Sequence, residues 1–186
     1  MVTITYATSE ISSRMEEIAT VYRRAFNVAP WFLNWSQEHA ISLIEEARRH
    51  ERFETFLGLG VKKEVIAAHW YYLMTVAEIE QERSPELATF AQQQVRTHAL
   101  PIIVYEKAIF VDPLYQRRGI ARQLRAVGLT TAENLYGQQR MLILTRHRED
   151  NTGIIRLSEQ MSFSFTGIRT PSLKDGVFHL FYAKIV

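Results

Sequence analysis

The stretch that decides the fold is Ala108-Ile-Phe-Val-Asp-Pro-Leu-Tyr-Gln-Arg-Arg-Gly-Ile-Ala-Arg122. It opens with an apolar run, Ile109 to Val111, which is typical of the end of a buried strand. Asp112-Pro113 ends that run, and Gln116-Arg-Arg-Gly119 turns the chain. From Ile120 onward the apolar residues recur with a helical period, which predicts an amphipathic helix.

The strand, the basic turn and the start of the helix together predict an anion-binding site. The first N–H groups of a helix have no partner inside the helix, and they lie at the positive end of its dipole. Gly119 permits a close approach of the backbone to a ligand, and the side chains of Arg117 and Arg118 add positive charge. The alternative is an ordinary surface loop that carries two solvated arginines.

The turn also carries a family resemblance. Gln116-Arg-Arg-Gly-Ile-Ala121 resembles the (Arg/Gln)-x-x-Gly-x-(Gly/Ala) signature with which the GCN5-related N-acetyltransferases (GNAT) wrap the pyrophosphate of acetyl-coenzyme A. The residues from Val111 to Tyr115 are close to the fuller form of that motif. The resemblance implies that acetyl-coenzyme A (acetyl-CoA) is the co-substrate and that no metal is used.

The resemblance also implies a fold. The expected class is α/β (α+β), with a mixed, mostly antiparallel sheet and helices on both of its faces. A V-shaped splay is expected between strands 4 and 5, where the cofactor would lie. The predicted order of elements agrees with this family plan over nearly the whole chain.

Composition restricts the classes of protein that the chain can represent. With 186 residues, of which 47% are hydrophobic and 23% charged, the chain is expected to form a single domain, residues 1–186. A net charge of +2 is too small to indicate a nucleic-acid partner. The chain has no cysteine, which excludes a thiol nucleophile and thiolate metal sites. Direct transfer of the acetyl group between two bound substrates is therefore the simpler expectation.

Further expectations concern the compartment. The absence of cysteine rules out disulfides. The first residues lack the basic start and apolar core of a signal peptide, and no apolar run approaches the roughly 20 residues that a membrane span needs. We therefore expect a cytoplasmic protein with no membrane partner.

Local patterns predict the elements before the turn. Ser13-x-x-Glu16 indicates a capping box at the start of the first long helix, and Ser36 is expected to cap the second. The runs Phe53 to Leu59 and Val65 to Met74 predict an antiparallel hairpin.

The stretch from Thr75 to Leu100 departs from the minimal family plan. It is polar, is interrupted by Pro85 and has a helical apolar stripe, so we interpret residues 75–100 as an inserted helical arm. It is expected to shape the acceptor pocket, to form a homodimer contact, or to be a solvated decoration. Arg140 to Thr145 is typical of a strand buried beside a parallel neighbour. The closing strands are expected at Phe163 to Thr166 and at Val177 to Lys184.

The resemblance implies a cofactor site built from one strand and the turn. The pantetheine arm would pair with the fourth strand, and the pyrophosphate would lie on the turn. The implied cofactor-binding residues are Ile109, Phe110, Val111, Gln116, Arg117, Arg118, Gly119, Ile120, Ala121, Arg122 and Asn151. Asn151 matches the asparagine after the family's fifth strand, and a plain helix N-cap is the alternative for it.

The resemblance also implies catalytic positions. Glu106, on the fourth strand, is the first candidate for the base that takes a proton from the acceptor ammonium, and an edge charge facing solvent is the alternative. Ser158 stands where the family carries its acid tyrosine, although a serine hydroxyl cannot match a phenol as an acid. A backbone N–H near Phe110 or Val111 is expected to stabilise the oxyanion.

Aromatic residues predict the acceptor pocket. Trp31 and Trp35 lie in an aromatic break between the first two helices, and Tyr71 of the third strand is expected beside them. Core filling between the helices is the alternative. The resemblance implies an N-acetyltransferase that acts on a primary amine of a small molecule or peptide. The alternative is a coenzyme A-binding sensor or partner-binding domain with little or no turnover.

Overall fold

The structure is a computed structural model that describes residues 2–137, 139–172 and 175–186. Its helices are α1 (Met15–Phe26), α2 (Gln37–Ala47), α3 (Val76–Glu82), α4 (Pro85–His98), α5 (Ile120–Leu135) and α6 (Thr152–Gln160). Its strands are β1 (Thr3–Tyr6), β2 (Glu54–Leu59), β3 (Val65–Leu73), β4 (Ile102–Val111), β5 (Met141–Arg148), β6 (Ser164–Pro171) and β7 (Phe178–Ile185). Within the described ranges, no helix is both long enough and apolar enough to cross a membrane.

The chain divides into two compact units, which share strand β4. The first is Met1–Tyr72 with Lys107–Leu135, and the second is Leu73–Glu106 with Tyr136–Val186. Hydrogen-bonded neighbours follow the order β1-β2-β3-β4 in the first unit and β4-β5-β7-β6 in the second. The β4–β5 pair is parallel, whereas β1–β2, β2–β3, β5–β7 and β6–β7 are antiparallel. The predicted mixed, mostly antiparallel sheet is confirmed, and the single-domain organisation stays a prediction.

In the first unit, helices cover both faces of the sheet. The ring of Trp70, on β3, lies 5.5 Å from the ring of Tyr22, on α1. His69, the preceding residue, points to the opposite face because side chains alternate along a strand. There it lies directly beneath Gly128 of α5. This arrangement confirms the predicted helices on both faces.

In the second unit, β4 and β5 form a parallel ladder. Ile102 to Glu106 pair in register with Met141 to Thr145. The buried pattern of β5 agrees with the predicted strand beside a parallel neighbour.

The stretch predicted as a helical arm contains α3 and α4. The hydroxyl of Thr75 accepts a hydrogen bond from the N–H of Glu78, and the Glu78 carboxylate accepts one from the N–H of Thr75. This reciprocal pair is a capping box that begins α3. Ser84 caps α4 in the same way, by accepting from the N–H of Leu87 at 3.1 Å. The role of the arm stays a prediction.

The capping box predicted at Ser13-x-x-Glu16 is wrong. The N-cap of α1 is Arg14, which makes no side-chain cap. The Ser13 hydroxyl instead donates to the carbonyl of Glu10 at 2.8 Å, because a short 3-10 turn immediately precedes the helix. Ser36 does cap α2, by accepting from the N–H of His39 at 3.2 Å.

Strand β6 runs farther than predicted, because Gly167 forms a bulge instead of a turn. Gly167 has φ +82° and lies in a register shift between Phe165 and Arg169. A glycine in this conformation lets the strand absorb an extra residue and go on pairing. The predicted connection between the closing strands includes positions 173 and 174, which lie outside the described residues.

The pairing of β5 with β7 surrounds a histidine with charged side chains. His179 lies opposite Arg148 in the ladder, and Arg148 forms ion pairs with Asp150 and Asp175. Burial, followed by the positive charges of Arg146 and Arg148, lowers the pKa of His179 to about 4. The imidazole therefore stays neutral in the folded protein at pH values at which it is protonated in the unfolded chain.

We expect the free energy of unfolding to fall as the pH drops from about 6.5 to about 4, because the unfolded chain gains a proton that the folded chain does not bind. Above about pH 6.5 both states carry a neutral imidazole, so the site contributes no slope there. Over this pH range the free energy of unfolding of the variant His179→Gln should fall by about 1–2 kcal/mol less than that of the wild type. This value allows for solvent screening. Urea denaturation at about pH 7.5 and about pH 5 measures the difference.

The matched control is His39→Gln, which removes an exposed imidazole of α2 and should leave the slope in place. The carboxylate of Asp175 affects stability in a separate pH range, since hydrogen bonding to Arg148 lowers its pKa to about 2. Its contribution is present above about pH 3.8 and is lost only below that value. Identical slopes in the wild type and in His179→Gln would contradict the assignment to His179.

Candidate functional site

The turn after β4 is built from local hydrogen bonds. Asp112 is 3% exposed, and its carboxylate accepts from the N–H of Leu114 at 3.0 Å, which begins the short 3-10 turn Pro113–Tyr115. The side-chain amide of Gln116 donates to the carbonyl of Val111 at 3.1 Å. The guanidinium of Arg118 donates to the carbonyl of Leu114 at 3.1 Å. The chain itself therefore sets the shape of the turn.

The turn leaves a run of N–H groups unused. Within the described chain, the N–H groups of residues 117–122 donate no hydrogen bond, and Gln123 is the first to donate, to the carbonyl of Gly119 at 3.1 Å. Arg117 has φ +60° and Gly119 has φ +77°. Left-handed residues of this kind help to gather successive N–H groups into a concavity that binds anions.

The space beside Gly119 is open. A β carbon built on Gly119 meets no atom of the described chain within 4 Å. The side chains of Arg117, Arg118 and Arg122 are exposed and add positive charge around the turn. Fixed N–H donors inside a positive rim are suited to a diphosphate, so the residues present fit the phosphate groups of acetyl-CoA.

Strand β4 presents one edge of its backbone beside this turn. The N–H of Asp112 donates to the carbonyl of Ile66 on β3 at 2.8 Å. Successive residues of an extended strand point to opposite edges, so the N–H and carbonyl of Val111 point away from β3. The bond from Gln116 to that carbonyl agrees with this direction.

The predicted aromatic pocket residues divide between the two faces of β3. Trp31 and Trp35, both partly exposed, pack on Phe26 with ring centroids 5.0 and 5.4 Å away. Tyr71 is 2% exposed and shares the face of His69, whereas Trp70 faces α1. The structure therefore brings the two tryptophans together and does not bring Tyr71 to them.

A cleft of about 420 Å³ lies between the end of α1 and the turn, and the sequence analysis did not find it. It is lined by Arg23, Arg24, Asn27, Val28, Asp112, Pro113 and Leu114. A guanidinium nitrogen of Arg24 lies 3.1 Å from a carboxylate oxygen of Asp112. Two adjacent arginines at a helix end were the only signal in the sequence, and such residues commonly just complement the helix dipole.

Glu106 belongs to the second unit and lies at the last pair of the parallel ladder, opposite Thr145. It is 4% exposed. The alternative of an edge charge facing solvent is therefore wrong. Whether Glu106 acts as the base stays a prediction.

Asn151 and Ser158 also belong to the second unit. The Asn151 side chain accepts from the N–H of Ile154 at 3.4 Å, so it caps α6 as the N-cap alternative predicted. Ser158 is fully buried, and its hydroxyl oxygen lies 2.7 Å from Nε2 of His147. The position of the family's acid tyrosine thus holds a hydroxyl bonded to a buried imidazole that the sequence analysis did not single out. The cofactor role of Asn151 stays a prediction.

The model of the acetyltransferase (GNAT) family matches residues 16–163. The chain therefore belongs to the GNAT acetyltransferase family, as its turn motif predicted. It is an acyl-CoA-dependent N-acetyltransferase whose co-substrate is acetyl-CoA. Among curated proteins, none matches the sequence.

Solved structures share the fold at low sequence identity. NAA60 of Arabidopsis thaliana, in complex with a bisubstrate analogue, is 14% identical with a TM-score of 0.68, over 100% of this chain and 99% of that one. The ribosomal-protein-S18-alanine N-acetyltransferase of Escherichia coli is 19% identical with a TM-score of 0.62, over 100% and 94%. An N-acetyltransferase of Staphylococcus aureus Mu50 is 15% identical with a TM-score of 0.65, over 99% and 98%. These likenesses confirm the predicted fold.

Proposed function

We propose that this protein transfers the acetyl group of acetyl-CoA to a primary amine by direct attack in a ternary complex. Acetyl-CoA supplies an acetyl group that is activated as a thioester. The observation that carries the proposal is the run of N–H groups at residues 117–122, which donate to no acceptor within the described chain. Because the chain has no cysteine, an acyl-enzyme on a thiol is excluded, which favours direct attack.

The first unit holds the phosphates and the pantetheine arm in this proposal. The N–H groups from Arg117 to Arg122 bind the diphosphate, since fixed donors lose little freedom on binding. The backbone from Ile109 to Val111 pairs with the arm. The N–H of Val111 is our choice for the oxyanion donor, in preference to that of Phe110, because it points away from β3.

Proton transfer is assigned to the second unit. Glu106 is the proposed base for the acceptor ammonium, and its burial keeps the carboxylate away from bulk solvent. Ser158 lacks the acidity of a phenol. We therefore propose that the thiolate, which is a good leaving group, departs without help from an acid at this position.

The proposed acceptor is a primary amine of a small molecule or a peptide, and nucleic acid is not a proposed partner. A peptide is included because one structure of the same fold, the NatC complex, is bound to a Gag peptide and coenzyme A. A homodimer and a cytoplasmic location remain predictions. The second candidate function, a coenzyme A-binding sensor with little turnover, is favoured by the missing phenol at Ser158.

The test begins with calorimetric titration of the protein with coenzyme A, for which we expect saturable binding. Release of the thiol from acetyl-CoA is then followed with a panel of primary amines and peptides, and the products are identified by mass spectrometry. Initial rates at varied concentrations of both substrates should give intersecting lines, as a ternary complex requires. Binding without turnover across the panel would favour the sensor, and absence of binding would overturn both functions.

A further inference from the structure

The cleft beside the turn combines an apolar wall with two guanidinium groups. Val28, Pro113 and Leu114 supply the apolar surface, and Arg23 and Arg24 supply the charge. Val28 is 39% exposed and Leu114 is 75% exposed, so this wall is accessible to a ligand. The cleft suits a molecule with an apolar part and an anionic group.

Three of the polar residues in the cleft are already engaged. Asn27 donates to the carbonyl of Trp35 at 3.1 Å and accepts from its N–H at 2.8 Å, which fixes the loop after α1. Arg24 is paired with Asp112 at 3.1 Å, and the Asp112 carboxylate also caps the turn. The negative charge of Asp112 is therefore offset, and the cleft has a net positive balance.

Arg23 is the group that points to a ligand. Its Nε atom is shielded from solvent and has no hydrogen-bond partner among the described residues. Its long-range electrostatic partner is Glu38, in the exposed first turn of α2. Arg23 also lines the cleft. A guanidinium offers donors in a planar fork that matches a carboxylate, so a carboxylate in the cleft would pair with its positive charge.

We propose that the cleft binds a carboxylate of the amine acceptor, so that the protein prefers acidic acceptors. The inference rests on the proposed function, because it names the acceptor class of the same site. Asp112 directly follows Val111, whose N–H is the proposed oxyanion donor. An acceptor held in the cleft thus lies beside the backbone along which the thioester is proposed to lie.

The test uses acceptor pairs that differ by one carboxylate. One pair is γ-aminobutyrate and butylamine, and another is a pair of peptides that start with alanine and carry glutamate or glutamine at the second position. We expect kcat/KM to be about tenfold higher for the acidic member, the size of one charge-assisted contact. The substitution Arg23→Gln should reduce this ratio to about two while leaving the neutral members within about twofold.

The matched control is Arg96→Gln. Arg96 lies in the last turn of α4, as Arg23 lies in the last turn of α1, but Arg96 is exposed and does not line the cleft. It should leave the ratio unchanged. Thermal denaturation checks the fold of each variant, and the ratio in the wild type tests the proposal even if Arg23→Gln does not fold.

Three outcomes would overturn the inference. Turnover with equal kcat/KM for acidic and neutral members leaves the proposed function standing and removes the acceptor preference. If Arg23→Gln weakens binding of coenzyme A but not of 3′-dephospho-coenzyme A, the anionic group in the cleft belongs to the cofactor. Binding of coenzyme A without turnover of any amine overturns the transferase proposal and the acceptor preference together.

Discussion

Replacement of Gly119 with valine is expected to abolish coenzyme A binding while the protein stays folded. Gly119 has φ +77°, a conformation that costs an L-residue about 1–2 kcal/mol. A β carbon at this position meets no described atom within 4 Å, so it causes no clash in the folded protein. The added bulk would stand beside the unused N–H groups of the turn, where we propose that the diphosphate binds. Loss of several hydrogen bonds to a charged group should weaken binding by at least about a hundredfold.

The matched control for this substitution is Gly137→Val, just past the other end of α5. Gly137 has φ +67°, and a β carbon there also meets no described atom within 4 Å. It therefore reproduces the backbone strain without approaching the turn. Calorimetry should show lost binding in Gly119→Val and retained binding in Gly137→Val, at similar losses of stability. Equal losses of affinity would contradict the assignment of the diphosphate to this turn.

The substitution Gly128→Ala is expected to destabilise the fold by about 2–3 kcal/mol. A β carbon at this position would lie 2.5 Å from Cε1 of His69 and 2.7 Å from its Nδ1. His69 is 2% exposed and packs against Phe56, so its surroundings restrict the movement of the imidazole. The overlap outweighs the gain of about 1 kcal/mol that alanine normally brings to a helix.

Two further variants isolate the cause of this effect. Gly153→Ala, in α6, places a β carbon no closer than 3.8 Å to its nearest neighbour, the Asn151 side chain, and should be neutral or stabilising. Combining Gly128→Ala with His69→Ala should destabilise the protein by less than the sum of the single effects, because the overlap is gone. Urea denaturation measures the wild type, Gly128→Ala, His69→Ala, the double variant and Gly153→Ala. Simple additivity in the double variant would contradict the proposed contact.

The conformation of the turn after β4 was predictable because its signals are local. The strand end, the Asp-Pro stop, Gly119 and the new helical period all lie within one short stretch, and each reports the conformation of its own backbone. The stop and start signals of the hairpin and of α2 were correct for the same reason. Where two local signals competed, the prediction was wrong, since Ser13 bonds to Glu10 in the turn between a 3-10 helix and α1 and does not cap α1.

The residues around the candidate acceptor pocket were less predictable, because their positions depend on the face of the strand to which each side chain points. Residues from Val65 to Tyr72 are all buried, so the alternation that normally reveals a strand's two faces is absent from the sequence. Tyr71 and Trp70 were therefore equally plausible beside the tryptophans. The cleft depends on contact between Arg24 and Asp112, which are 88 positions apart in the chain, and no local pattern reports such a pair.

Within the first unit, Asp112 couples the turn after β4 thermodynamically to the cleft. One of its carboxylate oxygens holds the N–H of Leu114 and thus the turn, and the other holds Arg24 in the wall of the cleft. A ligand that draws Arg24 toward itself would loosen the same carboxylate that shapes the turn, where the diphosphate is proposed to bind. Because linkage is reciprocal, whatever factor the acceptor imposes on cofactor affinity, the cofactor imposes on the affinity for the acceptor.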